Sequence, residues 1–417
     1  MRTLPVYLGN ALVGRLLERA SGSVFIYERD FANRQSRSVL SQSLLDDLGR
    51  PLDGLSESEM VPFFANLIPE EGRFRRYLAA RQGVNERDDW ALLAVLGDNL
   101  PGAVYVKEVI DDGTVVEPVS RDATHDPKWR FSLAGIQMKF SANRSDDQWS
   151  FASPEHDGQW IVKLPTAELP GIVQQEYLIM NLARECGLDV PQTELVDLTR
   201  IPDLDLGFLN AGTTAYAIRR FDRTTGGRIH QEDFCQVLNR PPSQKYGADA
   251  GVGAERVLEV VKTLCGPDDV LEWLYRLAFT IAVGNGDAHL KNHAIVYPDG
   301  ASARLSPLYD VVCTLAYHEY AQELALPLAG VYRFSAISAD TLEAFAMQAG
   351  VSRRIVHQCF SEMTSRLREA WPDFRDRLDV ERTREILSHR IENVMPALVR
   401  GESRHGLGAS AFTFDTI

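Results

Sequence analysis

The chain has 417 residues, of which 45% are hydrophobic and 24% are charged, and its formal net charge at pH 7 is -14. This length exceeds one typical core and predicts two or three domains, while the ordinary composition excludes a largely disordered chain. The acidic charge argues against a protein that coats nucleic acid unaided, because such binding depends on Lys and Arg at phosphates. A local basic patch or a basic partner stays open.

Cysteine usage and hydropathy indicate the compartment. The five cysteines lack CxxC spacing, which favours reduced thiols over disulfides or zinc: they are residues 186, 235, 265, 313 and 359. No apolar run reaches the ~18 residues of a membrane span, and the first residues lack the apolar region of a secretory signal. We therefore expect a soluble cytoplasmic protein with no membrane partner.

Residues 1–110 predict an α/β subdomain. Alternating residues within 3–28 predict short strands with a hairpin turn at Gly9 and Asn10. The pattern then becomes helical from Ser56, where Ser56 or Ser58 could cap the helix. The later elements that we predict here are helices Glu70–Arg81 and Trp90–Leu96 and a strand Gly102–Val106. The polar segment 111–128 predicts a linker.

Residues 129–223 predict a β-rich, nucleotide-binding unit. It opens with Ser-Leu-Ala-Gly-Ile-Gln-Met-Lys at 132–139, whose small residues would let backbone N–H groups approach phosphate oxygens. An ordinary β-hairpin turn is the alternative. Lys163 interrupts an apolar strand, and Glu176 begins the predicted helix Val173–Cys186. A strand lysine paired with a helix glutamate holds phosphates in kinase-type folds, although a surface lysine at a strand end also fits.

Residues 224–400 predict a mostly helical unit, followed by a flexible tail at 401–417. Its predicted helices are Gln231–Leu238, Ala254–Leu264, Asp268–Val283, Ala339–Gln348, Arg353–Ala370 and Val380–Val399. A strand at Tyr216–Arg220 precedes it and would lead into a hinge. Strands first and helices later predict an α+β fold with a cleft between two lobes.

The densest group of reactive side chains lies in the loop Gly284–Asn292, which reads Gly-Asn-Gly-Asp-Ala-His-Leu-Lys-Asn. The apolar stretch Leu271–Val283 before it predicts a buried helix, and a β-rich stretch follows it. Asp287 and Asn292 are five positions apart, the separation of the catalytic base and a metal-binding amide in protein kinases. A second carboxylate, Asp310, follows in Leu-Tyr-Asp. These groups favour phosphoryl transfer.

Three other functions fit parts of the pattern. A small-molecule phosphotransferase uses a similar Asp-to-Asn spacing with magnesium. A metal hydrolase could use Asp287, His289 and His293, since histidines four apart bind zinc on a helix, but Gly286 and the β-rich continuation oppose a helix. The third is a catalytically silent, nucleotide-binding corepressor, against which the complete set of reactive groups argues.

Six motifs taken together resemble the HipA family of serine/threonine kinases, the toxins of bacterial toxin-antitoxin pairs. They are SLAGIQMK (132–139), IVKLP (161–165), RFDR (220–223), QEDFCQ (231–236), GNGDAHLKN (284–292) and SPLYD (306–310). Their order and spacing also match, and the resemblance extends over almost the whole chain. It implies an α+β, two-lobed protein-kinase-like fold with an N-terminal α/β subdomain and a mostly helical C-terminal lobe.

The resemblance also implies roles for single residues, with ATP and Mg²⁺ as cofactors. Asp287 would be the catalytic base, and Asn292 and Asp310 would hold the metal. Lys163, in a structural ion pair with Glu176, would hold the phosphates. The other nucleotide contacts would come from Ala134, Gly135, Ile136, Gln137, Met138 and Lys139, from Arg219, Arg220 and Phe221, from His289, Leu290, Lys291 and Asn292, and from Tyr309.

Partners and regulation follow from the same resemblance. It implies a protein substrate, an aminoacyl-tRNA synthetase, and a HipB-like helix-turn-helix antitoxin through which operator DNA would mainly be bound. Ser132 matches the serine that the family autophosphorylates. A phosphate adds about two negative charges to a loop that lies near the phosphates of ATP, so that the loop would be repelled from the cleft.

Overall fold

A computed structural model of the chain describes residues 2–107, 137–145, 148–151, 157–201, 211–317 and 322–401. The predicted linker 111–128 lies outside these ranges, as do Ser132, Ala134, Gly135 and Ile136 of the predicted phosphate loop, and residues 402–417 of the tail. Within them, no helix combines the length and hydropathy that a membrane crossing requires.

The N-terminal domain is one antiparallel sheet covered by short helices. Its elements are β1 (Thr3–Leu8), β2 (Ala11–Arg19), β3 (Gly22–Tyr27), α1 (Arg29–Ala32), β4 (Leu55–Glu57), α2 (Pro62–Ala65), α3 (Arg73–Gln82), α4 (Asp89–Leu96) and β5 (Val104–Val106). The strand order is β4-β3-β2-β1-β5. The predicted turn joins β1 to β2, with Gly9 at φ +57°, and Asp88 caps α4 through its side chain.

The helix that we predict from Ser56 is wrong at its start. Leu55–Glu57 forms an edge strand that pairs with β3, and helical structure begins only at Pro62. The amide of Val61 is satisfied by the hydroxyl of Ser23 on the neighbouring strand, at 2.9 Å. Tertiary pairing therefore overrides the local capping signal of the serines.

The N-lobe sheet has the strand order β7-β6-β8-β10-β9. Its elements in chain order are β6 (Lys139–Ser145), β7 (Gln148–Phe151), β8 (Trp160–Lys163), α5 (Ile172–Glu185), β9 (Thr193–Asp197) and β10 (Thr214–Arg219). The helix predicted at Val173–Cys186 and the strand predicted near the hinge are both present. Lys139 lies directly opposite Lys163 in the β6–β8 pairing.

The C-lobe is mostly helical around a small sheet of order β13-β14-β15. Its elements are β11 (Arg223–Thr224), β12 (Gly227–Arg228), β13 (His230–Asp233), α6 (Phe234–Val237), α7 (Gly247–Ala250), α8 (Ala254–Leu264), α9 (Pro267–Val283), β14 (Ala294–Tyr297), β15 (Arg304–Leu305), β16 (Glu323–Leu328), β17 (Val331–Arg333), α10 (Ala339–Gln348), α11 (Arg353–Arg375), α12 (Glu381–His389) and α13 (Met395–Arg400). The single helix predicted at Val380–Val399 is interrupted by a π-turn, Arg390–Val394.

The helix predicted at Gln231–Leu238 is wrong over its first three residues, which are strand. Residues His230–Asp233 form β13, and only Phe234–Val237 is helical. Asp233 and Gln236 form a capping box, in which each side chain accepts from the other residue's backbone amide. A cap separates strand from helix here, which the pattern of charges alone did not reveal.

The N-lobe sheet contributes to two hydrophobic cores. Phe140, Ala215 and Ala217 pack with the N-terminal domain, while Tyr216 and Ile218 pack with α5 and the C-lobe. Successive residues of a strand point to opposite faces, so β10 places its alternate side chains in different cores. The N-terminal domain is therefore a covering layer on one face of the N-lobe sheet.

Glu232 joins the N-terminal domain to the C-lobe through buried polar contacts. Its carboxylate accepts from Ser41 Oγ at 2.6 Å, from the amide of Gln42 at 3.0 Å and from the hydroxyl of Tyr297. The side chain is fully buried, and this burial raises the pKa of Glu232 to about 7. Glu232 therefore loses its proton at a higher pH in the folded protein than in the unfolded chain.

This pKa predicts a pH dependence of stability that Glu232→Gln removes. A folded pKa above the unfolded value of ~4.3 contributes stability that is fully present below the unfolded pKa and lost as pH rises through about 7. The stability of the wild type relative to Glu232→Gln should fall on the order of 3 kcal/mol between about pH 4 and pH 8. Urea denaturation of both proteins measures the difference, and a gap independent of pH would contradict the prediction.

Candidate functional site

One cleft of about 290 Å³ lies where the N-lobe sheet, the C-lobe and the N-terminal domain meet. This volume is close to the lower end of the range for small-molecule sites. Most of the residues singled out in the sequence line it: Gln137, Lys139, Lys163, Glu176, Arg219, Arg220, Phe221, Asp287, His289, Lys291, Asn292, Tyr309 and Asp310. Groups far apart in the chain therefore border one cavity.

The loop that carries Asp287 is held by hydrogen bonds on both sides. Helix α9 ends at Val283 and is followed by Gly284, whose φ of +70° turns the chain. The hydroxyl of Thr314 accepts from the amide of Gly286 at 2.8 Å and donates to the carbonyl of Gly284. The side-chain amide of Asn292 donates to the carbonyl of Asp287 at 2.7 Å. The predicted base, Asp287, and the predicted metal ligand, Asn292, are thereby fixed to each other.

Helix α9 is anchored from the C-terminal end of the chain. Arg390, on the π-turn, is buried and donates from Nε to the carbonyl of Ala282 at 3.0 Å and from Nη2 to that of Ile281. A guanidinium group at a helix C-terminus satisfies orphan carbonyl groups and opposes the helix dipole. The last helices therefore support the loop that carries Asp287.

Asp287 lies at the mouth of the cleft, with its side chain 41% exposed. Partial burial raises the pKa of Asp287 to about 6, and the hydrogen bond from Tyr246, at 2.8 Å to Oδ1, opposes this rise. A carboxylate with this pKa is mostly ionised at neutral pH and can still take up a proton, as a general base requires.

Lys163 occupies the inner end of the cleft between two carboxylates. Its Nζ lies 2.6 Å from Glu176 Oε1 and 2.7 Å from Asp310 Oδ1. Burial would lower the pKa of Lys163, but the charges of Asp310 and Glu176 outweigh it and raise that pKa above its ordinary value. The ammonium group therefore stays charged.

Asp310 has an unusual backbone for a non-glycine residue, with φ +60°. Burial would raise its pKa, but the ammonium groups of Lys163 and Lys139 outweigh burial and hold the pKa of Asp310 well below its ordinary value. Strained conformations of this kind cluster at functional sites, where the surroundings impose them. Lys139 lies beside this pair, and burial lowers its own pKa to about 8.

The segment at Arg219–Phe221 borders the cleft, but the Arg220 side chain is used elsewhere. Its guanidinium donates to both oxygens of Asp222, at 2.8 and 2.7 Å. Asp222 also accepts from the amide of Gly102, in the N-terminal domain, at 2.8 Å. The hinge is thus tied to the N-terminal domain, a role for Asp222 that the sequence did not reveal. The Phe221 ring lies 5.7 Å from that of Tyr309.

Two residues predicted to contact nucleotide do not line the cleft. Met138 packs against the core shared with the N-terminal domain, and Leu290 is fully buried in the core of the C-lobe. Both alternate with residues that do face the cleft, Gln137 and Lys139 in one case and His289 and Lys291 in the other. A contiguous motif therefore mixes site residues with core residues.

The histidines of the hydrolase alternative do not share a site. His289 lines the cleft, whereas the ring of His293 packs beside Phe234 and Trp273, at 6.4 and 6.3 Å. Across the residues that the structure describes, there is no cluster of three or more His, Cys, Asp or Glu side chains suited to a metal ion.

Magnesium fits the two ligands that the sequence predicts. Mg²⁺ prefers oxygen atoms and often takes only one or two protein ligands, the rest being water and phosphate. Asp310 offers carboxylate oxygens, and Asn292 uses its amide nitrogen for the carbonyl of Asp287, which leaves the amide oxygen to bind a cation. Both residues border the cleft.

Sequence reasoning missed several polar residues of the cleft, among them Glu70, Lys245 and Tyr246. Glu70 comes from the N-terminal domain and pairs with Lys245 at 2.7 Å and with Lys291 at 3.6 Å. Tyr246 follows Lys245 and bonds Asp287. Lys245 and Tyr246 follow the motif QEDFCQ (231–236), but no known spacing identifies them as site residues. Glu70 is predicted from the sequence only as a residue of a helix.

Comparison with known proteins identifies the family. Residues 4–107 match the HipA N-terminal domain, and residues 131–371 match the HipA-like C-terminal domain. A candidate kinase of Sinorhizobium fredii, Y4dM, is 37% identical over 357 residues, which cover 84% of this chain and 86% of the relative. The serine/threonine-protein kinase toxin HipA of Shewanella oneidensis is 26% identical over 409 residues, with 88% of each chain covered.

A solved structure has the same fold. The complex of Shewanella oneidensis HipA with HipB and its operator DNA contains a chain that matches with a TM-score of 0.75 and 23% identity, over 96% of this chain and 99% of that chain. The α+β, two-lobed, protein-kinase-like fold expected from the sequence is thereby confirmed. Two domain matches in the expected order, together with the kinase-type cleft between the lobes, place this chain in the HipA family of kinases.

Proposed function

We propose that this protein is an ATP- and Mg²⁺-dependent serine/threonine kinase that acts as the toxin of a toxin-antitoxin pair. The observation that carries the proposal is that Lys163, Asp287, Asn292 and Asp310 border one cleft. Phosphoryl transfer depends on positioning and charge stabilisation more than on covalent chemistry, and these four residue types supply both. The match to the HipA N-terminal domain favours this function over a small-molecule phosphotransferase.

Each of the four residues would have its own role in phosphoryl transfer. Lys163 would exchange its contact with Asp310 for the phosphates of ATP, while the backbone around Phe221 would border adenine. Asp287 would accept a hydrogen bond from the substrate hydroxyl and take its proton as the new O–P bond forms, while the bond from the γ-phosphorus to the β,γ-bridging oxygen breaks and ADP leaves with that oxygen. Asn292 and Asp310 would hold magnesium, which supplies charge neutralisation on the phosphate oxygens.

Partners and regulation belong to the same proposal. The Shewanella oneidensis relative is named as a kinase toxin, and its structure is a complex with HipB and operator DNA. By analogy, this chain would bind a HipB-like helix-turn-helix antitoxin and reach operator DNA mainly through it. An aminoacyl-tRNA synthetase would be the protein substrate, and Ser132 would be the site of autophosphorylation.

Replacing the base should abolish transfer. With γ-labelled ATP and magnesium, the wild type should label itself and one of the bacterial synthetases, and Asp287→Asn should lower the rate at least about a hundred-fold. Intact mass should differ by one phosphate between the two purified proteins, and Ser132→Ala should lack that phosphate. Asp197→Asn is the matched control, because Asp197 is exposed and caps a turn that Asn can also cap. Equal labelling of wild type and Asp287→Asn would refute the proposed base.

Replacing the buried lysine should weaken both nucleotide binding and folding. Lys163→Met leaves Glu176 buried without its ammonium partner, so the free energy of unfolding should fall by about 3–5 kcal/mol. Lys163→Met/Glu176→Gln should recover part of that loss but should bind a non-hydrolysable ATP analogue with magnesium at least about ten-fold more weakly than the wild type. Urea denaturation and calorimetric titration measure the two effects. Unchanged nucleotide affinity in the double variant would contradict the role of Lys163.

A further inference from the structure

The N-terminal domain reaches the catalytic loop through Glu70. Its Oε2 accepts from Lys245 Nζ at 2.7 Å, and its Oε1 lies 3.6 Å from Lys291 Nζ. The side chains are only 25%, 19% and 8% exposed for Glu70, Lys245 and Lys291, respectively. Charges that are shielded from water to this extent interact more strongly than a surface pair. A carboxylate from outside the kinase-like lobes therefore fixes two ammonium groups of the cleft.

Tyr246, the next residue after Lys245, is bonded to the proposed base. Its hydroxyl donates to Asp287 Oδ1 at 2.8 Å, and its ring meets that of His289 edge to face, with centroids 5.3 Å apart. The carbonyl of Lys245 accepts from the amide of Leu290 at 3.0 Å, so the backbone of this segment is tied to the same loop. Tyr246 is thus held by its own contacts with Asp287 and His289 and by the backbone bond of the preceding residue, Lys245, to Leu290.

The hydrogen bond leaves one oxygen of the base for the substrate. Tyr246 occupies Oδ1 of Asp287, and none of the residues that the structure describes donates a hydrogen bond to Oδ2. A carboxylate has enough lone pairs to accept from a positioning hydroxyl and from a substrate hydroxyl together. A base must be held within a narrow range of positions for efficient transfer, and a displacement of about 1 Å can cost a factor of a hundred.

We propose that the N-terminal domain takes part in phosphoryl transfer: Glu70 fixes Lys245, and Tyr246 beside it holds Asp287 so that Oδ2 faces the substrate hydroxyl. Glu70 and Tyr246 are positioning residues, since they act through Asp287. This inference rests on the proposed kinase function and assigns to the N-terminal domain a part in the rate of the reaction.

The test compares the rate of phosphate incorporation into the protein at saturating ATP and magnesium with the ATP concentration that gives half that rate. Tyr246→Phe should lower the saturated rate about ten-fold or more and leave the half-saturating ATP concentration within about two-fold of the wild type. Glu70→Gln should lower the saturated rate by a smaller factor. In the double variant Glu70→Gln/Tyr246→Phe, the saturated rate should equal that of Tyr246→Phe alone, because Glu70 acts through Tyr246.

Two variants serve as matched controls, and both should behave as wild type. Tyr275→Phe removes a tyrosine hydroxyl that donates to Glu362 outside the cleft, and Glu18→Gln removes an ion pair with Arg2 in the same N-terminal domain. A general loss of structure would lower the thermal midpoint and nucleotide affinity together, whereas the proposed role lowers only the saturated rate. Glu70→Gln alone tests the idea if Tyr246→Phe does not fold.

The outcomes separate this inference from the proposed function. If the wild type transfers no phosphate, both fail. If the wild type is active and Tyr246→Phe is equally fast or faster, only the inference fails, and a faster rate would identify the tyrosine as an obstacle to substrate. Multiplying effects in the double variant would also overturn it, because Glu70 would then act by another route.

Discussion

A single buried ammonium group organises the cleft. Lys163 belongs to the N-lobe sheet, Glu176 to α5 and Asp310 to the loop that follows the small C-lobe sheet. The ammonium group of Lys163 lies 2.6 Å from the carboxylate of Glu176 and 2.7 Å from that of Asp310. A charge in so shielded a place is very costly without its partners. The ion pairs therefore favour one relation of the two lobes, and in that relation Asp310 and Asp287 border the same cavity.

The supports of this cleft come from every part of the chain. The N-terminal domain contributes Glu70 and the amide that binds Asp222, and the last helices contribute Arg390 behind α9. The residues that supply these contacts, Glu70, Gly102 and Arg390, lie outside the six motifs. The precision of the site is thus a property of the whole fold, in agreement with the general need for a second layer of residues to lock reactive groups.

Elements could be predicted from the sequence where their periodicity lies within the element itself. Site residues could be predicted where their type, order and separation match those that phosphoryl transfer requires. Helix α8 was predicted with its observed bounds, because its apolar stripe is unambiguous. Strands β4 and β13 were mistaken for helix, because pairing with distant strands decided their conformation. In the site, order and residue type pointed to Lys163 and Asp287, whereas Tyr246 and Glu70 reach the cleft only through tertiary contacts that no spacing encodes.

The shared N-lobe sheet has a consequence for how this protein can be divided. The N-terminal domain covers the strand side chains Phe140, Val162, Ala215 and Ala217. A shortened protein that lacked this domain would expose a continuous hydrophobic surface. Such surfaces drive self-association in water. The kinase-like lobes therefore depend on the N-terminal domain to keep this face of the sheet out of water.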